Sequence, residues 1–127
     1  MLKLVMIFVG GGAGAVCRYL VSGWTQRLAS ESFPLGTLIV NVLGCLLIGL
    51  LAQLLTGVYL LRDEVRVGIL VGFLGGFTTY STFGLDTMML VNEGQMRTAG
   101  LYVILSNGLG LFAVWSGFRL AEHFAGV

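Results

Sequence analysis

Five consecutive residues with hydroxyl groups, at positions 78–82, lie inside an apolar stretch of the sequence. The surrounding segment, residues 72–84, reads Gly-Phe-Leu-Gly-Gly-Phe-Thr-Thr-Tyr-Ser-Thr-Phe-Gly. Hydroxyl groups donate and accept hydrogen bonds without carrying a charge. The interior of a lipid bilayer offers no water to satisfy them, so this segment must be buried in protein or line a cavity.

An amide group lies in a second apolar stretch, at Asn41. In a helix, Thr37, Asn41 and Gly44 share one stripe, because residues three and four apart lie on the same face. One interpretation is an interhelical hydrogen bond that joins two helices. The other is a donor that points into an aqueous vestibule. The residues around Asn41 leave both interpretations open.

The composition places these groups in a membrane protein. The 127 residues are 57% hydrophobic and 10% charged, whereas soluble domains are about one quarter charged. The mean hydropathy is +0.95, and a net charge of +1 leaves no basic patch for nucleic acid. Each crossing of a bilayer takes about 20 residues. The sequence therefore predicts one all-α transmembrane domain over residues 1–127, with spans at about 4–26, 36–55, 63–92 and 98–120.

The third predicted span is too long for one straight crossing. From Asp63 to Asn92 a continuous helix would measure about 45 Å, against a hydrocarbon core of about 30 Å. Gly75, Gly76 and the β-branched pair at 78–79 weaken the helix at its centre. We therefore predict a break near residues 75–79 that leaves two half-helices. Backbone carbonyls freed at that depth suit a hard cation such as Na⁺.

Glycines at intervals of four predict close contacts between helices. Gly68, Gly72 and Gly76 form one such stripe, and Gly10 and Gly14 form another. Small residues let two helix backbones approach each other within a membrane. We expect the spans to pack through these stripes.

A few other polar side chains and thiols lie inside the predicted spans. Tyr102 and Ser106 are four residues apart and share a face of the fourth span, an arrangement that, taken alone, is more typical of packing than of a pathway. Arg18 is expected to reach the interface or to find a partner, because a buried guanidinium is costly. Cys17 and Cys45 have no metal-ligand neighbours in sequence, and we interpret them as packing residues.

The charges at the ends of the spans give only a weak preference for one orientation. With four spans, both termini lie on the same side of the membrane as the charged turn at residues 62–66. The cationic residues on that side are Lys3, Arg62, Arg66 and Arg119. The other side has Arg27 and Arg97, with Arg18 near it if that side chain reaches the interface. The side that is richer in Lys and Arg usually faces the cytoplasm. Since the two sides differ little in their number of Lys and Arg residues, the chain is permitted to insert both ways and to pair as an antiparallel dimer.

Three motifs resemble the Fluc family of fluoride channels. They are Gly-x-x-x-Arg-Tyr at residues 14–19, Gly-Thr-Leu-x-Val-Asn at residues 36–41, and Gly-Gly-x-Thr-Thr-x-Ser-Thr-Phe at residues 75–83. The likeness covers essentially the whole chain in the same order. It implies a channel rather than an enzyme, in the inner membrane of a bacterium, that lets F⁻ leave the cytoplasm passively. It also implies an antiparallel, dual-topology homodimer with two pores.

The resemblance further implies roles for individual residues. The pore-lining residues would be Asn41, Tyr80, Phe83, Ser81, Thr82, Tyr102 and Ser106. The backbone carbonyls of Gly75 and Thr78 would bind a structural Na⁺ at the dimer interface. One position departs from the family's pattern, because Tyr80 stands where Phe is usual. We expect this tyrosine to leave the fold intact and to alter throughput.

Two other functions remain to be weighed against the structure. A proton-coupled exporter of the small multidrug-resistance kind needs a carboxylate inside the membrane, and only Asp86 could serve. A non-transporting assembly subunit would use the glycine stripes as docking faces and the polar groups as interhelical contacts. Such a subunit would not explain why an amide, hydroxyl groups and a broken helix gather at the same depth.

Overall fold

The computed structural model describes residues 1–30 and 32–126, and for Val58 the backbone only. The described residues form helices joined by short turns, and no strand occurs among them. Four helical stretches are long and apolar enough to cross a membrane: Leu2–Gln26, Leu35–Gly57, Asp63–Asn92 and Met96–Ala125. The prediction of an all-α protein with four spans is confirmed.

The first two spans are joined by a turn that the side chain of Gln26 holds together. Helix α1 is Leu2–Gln26 and helix α2 is Leu35–Gln53, which continues as a π-helical turn over Leu54–Val58. The Gln26 amide donates to the carbonyl of Phe33 (2.8 Å) and accepts from the N–H of Gly36 (2.9 Å). The end of α1 and the start of α2 are therefore fixed to each other.

The third span is broken, as the sequence predicts. Its segments are α3 (Asp63–Val67), a π-helical segment (Gly68–Phe73), α4 (Leu74–Phe77) and α5 (Tyr80–Asn92). Between α4 and α5, Thr78 (φ −84°, ψ 157°) and Thr79 (φ −150°, ψ 115°) have extended backbone. The break therefore consists of two residues, both inside the predicted range.

The fourth span, α6, is the longest single helix, running over Met96–Ala125. Gly94 (φ 77°) makes the turn before it, and Gly126 (φ 70°) ends it in the left-handed conformation that glycine adopts most readily. The helix continues five residues beyond the predicted limit at 120, because no Gly or Pro interrupts it between that position and Gly126.

Two pairs of helices pack through glycines. Helix α1 lies against the first half of the third span, where a methyl group at Gly10 would overlap the carbonyl of Gly68 and one at Gly76 would overlap that of Gly11. Helix α2 lies against α6, where a methyl group at Gly49 would overlap the carbonyl of Val114. The glycine stripes predicted from the sequence therefore serve contacts within one chain.

An ion-pair cluster joins the start of α1 to the start of α3. Asp63 pairs with both Lys3 and Arg66. The N-terminus and the charged turn at residues 62–66 therefore lie at the same end of the bundle, as four spans require. All three side chains are partly exposed, and pairs of this kind contribute little to stability.

Candidate functional site

The side-chain amide of Asn41 forms hydrogen bonds with the backbone at the break in the third span. Its Nδ2 donates to the carbonyl of Thr79 (2.9 Å), and its Oδ1 accepts from the N–H of Thr79 (2.8 Å). The side chain thus satisfies both backbone groups of a residue that lies 38 positions away in the chain. One amide hydrogen of Asn41 is left over, because a primary amide has two. The interhelical hydrogen bond, one of the two interpretations of Asn41, is therefore present.

The same contacts free two backbone carbonyls. In a continuous α-helix, the N–H of Thr79 would donate to the carbonyl of Gly75, and that of Thr82 to the carbonyl of Thr78. Here the first donor is taken by Asn41, and the second by the hydroxyl oxygen of Thr79 (3.2 Å). Among the described residues, neither carbonyl gains another backbone donor outside the helices. The break therefore leaves oxygen atoms of Gly75 and Thr78 available to a ligand.

Close packing fixes the position of Thr78. Its hydroxyl group donates to the carbonyl of Leu74 (3.0 Å), which closes the end of α4. Its methyl group, Cγ2, lies against Gly44 of α2 so closely that a methyl group on Gly44 would overlap it. Gly75 is exposed, and no atom lies within 4 Å of the position that a Cβ would take there.

Aromatic rings form a continuous row from the break into the core. The ring centroids of Tyr80 and Phe83 are 5.6 Å apart, and those of Phe83 and Tyr102 are 5.2 Å apart. The row runs from the surface into the core. At one end Tyr80 is 84% exposed, and at the other Tyr102 is fully buried. The Tyr102 hydroxyl donates to the carboxylate of Asp86 (3.1 Å), and Phe33 meets the Tyr102 ring edge to face at 5.9 Å.

An open cavity of about 390 Å³, which we call the break cavity, brings most of the predicted site residues together. Its lining includes six of them, namely Asn41, Gly75, Thr78, Tyr80, Phe83 and Ser106. The hydroxyl oxygen of Ser106 is buried and has no hydrogen-bond partner in the described part of the chain. The cavity therefore combines neutral hydrogen-bond donors, aromatic rings and freed carbonyls at one depth.

A larger open cavity of about 860 Å³ also reaches the break, at Thr79. Thr82, Arg18 and Thr37 line it, and Thr79 lines both cavities. The guanidinium Nε of Arg18 is buried without a hydrogen-bond partner in residues 1–30 and 32–126. Of the two expectations for Arg18, a partner is therefore not found for this nitrogen atom among those residues, and reaching the interface stays a prediction.

Two predicted pore residues lie outside both cavities. Ser81 is exposed, and its hydroxyl oxygen is 3.4 Å from that of Thr79. Tyr102 lies in the core and reaches the row of rings through Phe83. Neither residue is among those that line the two described cavities.

No role in the site was predicted from the sequence for three of its residues. Thr79 accepts from Asn41 and caps α5, and Cys45 and Asn107 line the break cavity. The signal for Asn107 was an amide one residue after Ser106 in an apolar span. The signal for Thr79 was weaker, because its role depends on backbone groups and on a distant helix.

No cluster of three or more His, Cys, Asp or Glu side chains that could hold a metal ion occurs among the described residues. Hard cations, however, bind carbonyl as well as carboxylate oxygens. The freed carbonyls of Gly75 and Thr78 have the right chemistry for such an ion. Two oxygens from one chain are fewer than such ions usually take.

The chain is similar in sequence to known proteins over most of its length. The family model described as CrcB-like protein, Camphor Resistance (CrcB), matches residues 5–118. The fluoride-specific ion channel FluC of Rhizobium etli is 42% identical over 94% of this chain and 96% of its own length. That of Geobacter sulfurreducens is 43% identical over 97% of this chain and 99% of its own. That of Methylococcus capsulatus is 44% identical over 98% of this chain, which spans 54% of that protein. The chain therefore belongs to the CrcB-like family.

Proposed function

We propose that the protein is a fluoride-selective ion channel, a multi-pass protein of a bacterial membrane through which F⁻ leaves the cytoplasm passively. The relatives named as fluoride-specific ion channels support this proposal over nearly the full length of the chain. The observation that carries it is the break cavity, where uncharged donors and aromatic rings meet at a helix break in mid-span.

The chemistry of the break cavity suits a small anion. Fluoride holds its water strongly, so a pore must replace that water with several donors at once. Asn41 and Ser106 supply an amide and a hydroxyl group. Because these donors are neutral, they do not retain the ion as a buried Arg or Lys would. The rings of Tyr80 and Phe83 have electropositive edges that can face an anion.

We further propose that two copies pair as an antiparallel homodimer with two pores. Each copy offers the freed carbonyls of Gly75 and Thr78, so two copies would offer four oxygens to one Na⁺. Bound there, the cation would add positive charge near the anion path. The exposure of Gly75 and of Tyr80 (84%) leaves this side of the break open to a second copy.

A proton-coupled exporter is less well supported. Its carboxylate would have to exchange protons with substrate inside the membrane. The one carboxylate in mid-span that could do so, Asp86, accepts a hydrogen bond from the buried Tyr102 (3.1 Å). It does not line either of the two described cavities.

A flux assay tests the proposal. The purified protein is reconstituted into liposomes loaded with KF, and F⁻ efflux is followed with a selective electrode after valinomycin lets K⁺ carry the balancing charge. We expect rapid F⁻ efflux, and no Cl⁻ efflux from liposomes loaded with KCl. Absence of F⁻ efflux above that of protein-free liposomes would contradict the proposal.

A further inference from the structure

Asn107 places a second amide near the middle of a span. It lies eleven residues after the start of α6, about 16 Å along a helix of 30 residues. Its side chain is exposed on the single chain. A polar group that meets hydrocarbon without hydrogen-bond partners is strongly unfavourable, so we expect this amide to have another contact in the membrane.

The Asn107 amide uses only part of its capacity for hydrogen bonding. Its Nδ2 donates to the carbonyl of Val103, one turn earlier in α6 (2.8 Å). A primary amide has two donors and an oxygen that accepts two bonds. Within the described part of the chain, one N–H and the oxygen of Asn107 make no further hydrogen bond.

The residues around Asn107 indicate what kind of group could form hydrogen bonds with its remaining N–H and oxygen. Asn107 lines the break cavity beside Ser106, whose buried hydroxyl oxygen also has no partner among the described residues. Asn41 lines the same cavity and keeps one amide hydrogen after its bonds to Thr79. Two neighbouring residues of α6 thus line the same cavity as Asn41 of α2.

We infer that Asn107 is a further residue of the anion path, which donates an amide hydrogen to F⁻ in the break cavity. This inference rests on the proposed function and extends it. Tyr102 and Ser106 share one face of α6, and the next position on that face is Gly110, which has no side chain. Asn107 provides a donor just beyond Ser106, on the flank of that face. The ligand is a small, strongly hydrated anion, and the amide selects for it by donating without charge.

The test compares substitutions at Asn107 in the liposome flux assay. Asn107→Leu keeps the size of the side chain and removes both donors, whereas Asn107→Ser keeps one shorter donor. We expect Asn107→Leu to lower F⁻ flux at least tenfold and to raise the F⁻ concentration that gives half-maximal flux. We expect Asn107→Ser to lie between Asn107→Leu and the parent protein.

Thr87→Val is the matched control. Thr87 also donates to the carbonyl of the residue four positions earlier (2.8 Å), but it lines neither described cavity. We expect this variant to conduct like the parent protein. Chemical cross-linking of each variant then reports whether the dimer is retained.

Three outcomes would overturn the inference. Parent-like flux from Asn107→Leu would remove Asn107 from the path and leave the proposed function standing. Loss of the dimer in Asn107→Leu would assign the amide to contact with the second copy instead. Absence of F⁻ flux from the parent protein would remove the proposed function, and this inference with it.

Discussion

Asn41 serves two purposes at the residue scale. It satisfies the backbone of Thr79, which a broken helix would otherwise leave without partners, and it keeps an amide hydrogen for the break cavity. Its structural and functional roles therefore cannot be separated by deleting the side chain. A substitution that keeps the shape and one of the two bonds to Thr79, and adds a charge, disturbs the structure less than deletion does.

Asn41→Asp is such a substitution. The new carboxylate can still accept from the N–H of Thr79, but it cannot donate to the Thr79 carbonyl, and its charge repels an anion. We expect F⁻ flux in liposomes to fall at least a hundredfold while the protein still purifies as a dimer. Undiminished flux would remove Asn41 from the anion path.

Tyr80→Phe tests the expectation that the hydroxyl group of Tyr80 alters throughput. Tyr80 is 84% exposed, and no hydrogen bond of its hydroxyl group occurs among the described side chains. Removing the hydroxyl group should therefore leave the unfolding temperature unchanged and change the rate of F⁻ flux. Equal rates for the parent protein and the Tyr80→Phe variant in matched liposomes would show that the hydroxyl group has no part in conduction.

At the scale of the elements, the position of the break depends on how α2 packs against the third span. Gly44 accommodates the methyl group of Thr78, and Asn41, one turn earlier, binds Thr79. The two residues of the break are thus fixed by neighbouring positions on one face of α2. This arrangement sets where the freed carbonyls of Gly75 and Thr78 lie.

Gly44→Ala should disturb that arrangement. The added methyl group would overlap Cγ2 of Thr78, and overpacking of this kind costs about 1–3 kcal/mol. We expect a lower unfolding temperature in detergent and reduced F⁻ flux. The double variant Gly44→Ala with Thr78→Ser should recover both, because serine lacks the overlapping methyl group.

Gly108→Ala is the control for that experiment. It adds the same methyl group within a helix, at a position where no atom lies within 4 Å of the new Cβ. It should be neutral or slightly stabilising, since alanine favours a helix more than glycine does. An equal loss of stability in Gly44→Ala and Gly108→Ala would contradict the role given to Gly44.

The sequence predicts the elements better than it predicts the contacts between them. Four spans follow from composition, and the break at Thr78 and Thr79 follows from helix length and weak helix formers. The pairing of Asn41 with Thr79 does not follow, because it joins a side chain to backbone groups 38 residues away. The bond from Tyr102 to Asp86 (3.1 Å) likewise depends on how α5 and α6 are packed.

At the scale of the whole molecule, one chain offers too few oxygen atoms for the proposed cation site. It offers two freed carbonyls on an exposed side of the break, and the proposed antiparallel partner would add two more. If Na⁺ is held there, its removal should lower flux and weaken the dimer together. The two effects are linked because the same carbonyls would bind Na⁺ and, through it, join the two copies.

Removal of Na⁺ is therefore a test of the assembly. Prolonged dialysis against N-methylglucamine buffer should abolish F⁻ flux, and return of Na⁺ should restore it. Cross-linking before and after dialysis reports the dimer in the same samples. Full flux from protein that contains no Na⁺, as measured by elemental analysis, would contradict the proposed cation site.

The central claim is that F⁻ itself carries current through this protein by electrodiffusion. The most direct measurement is the reversal potential of a planar bilayer that contains the protein, under a tenfold gradient of NaF with symmetrical background chloride. A fluoride-selective channel predicts a reversal potential of about 59 mV, with the sign of an anion current, that does not move when a pH gradient is added. A reversal potential near zero, or one that follows the pH gradient, would contradict it.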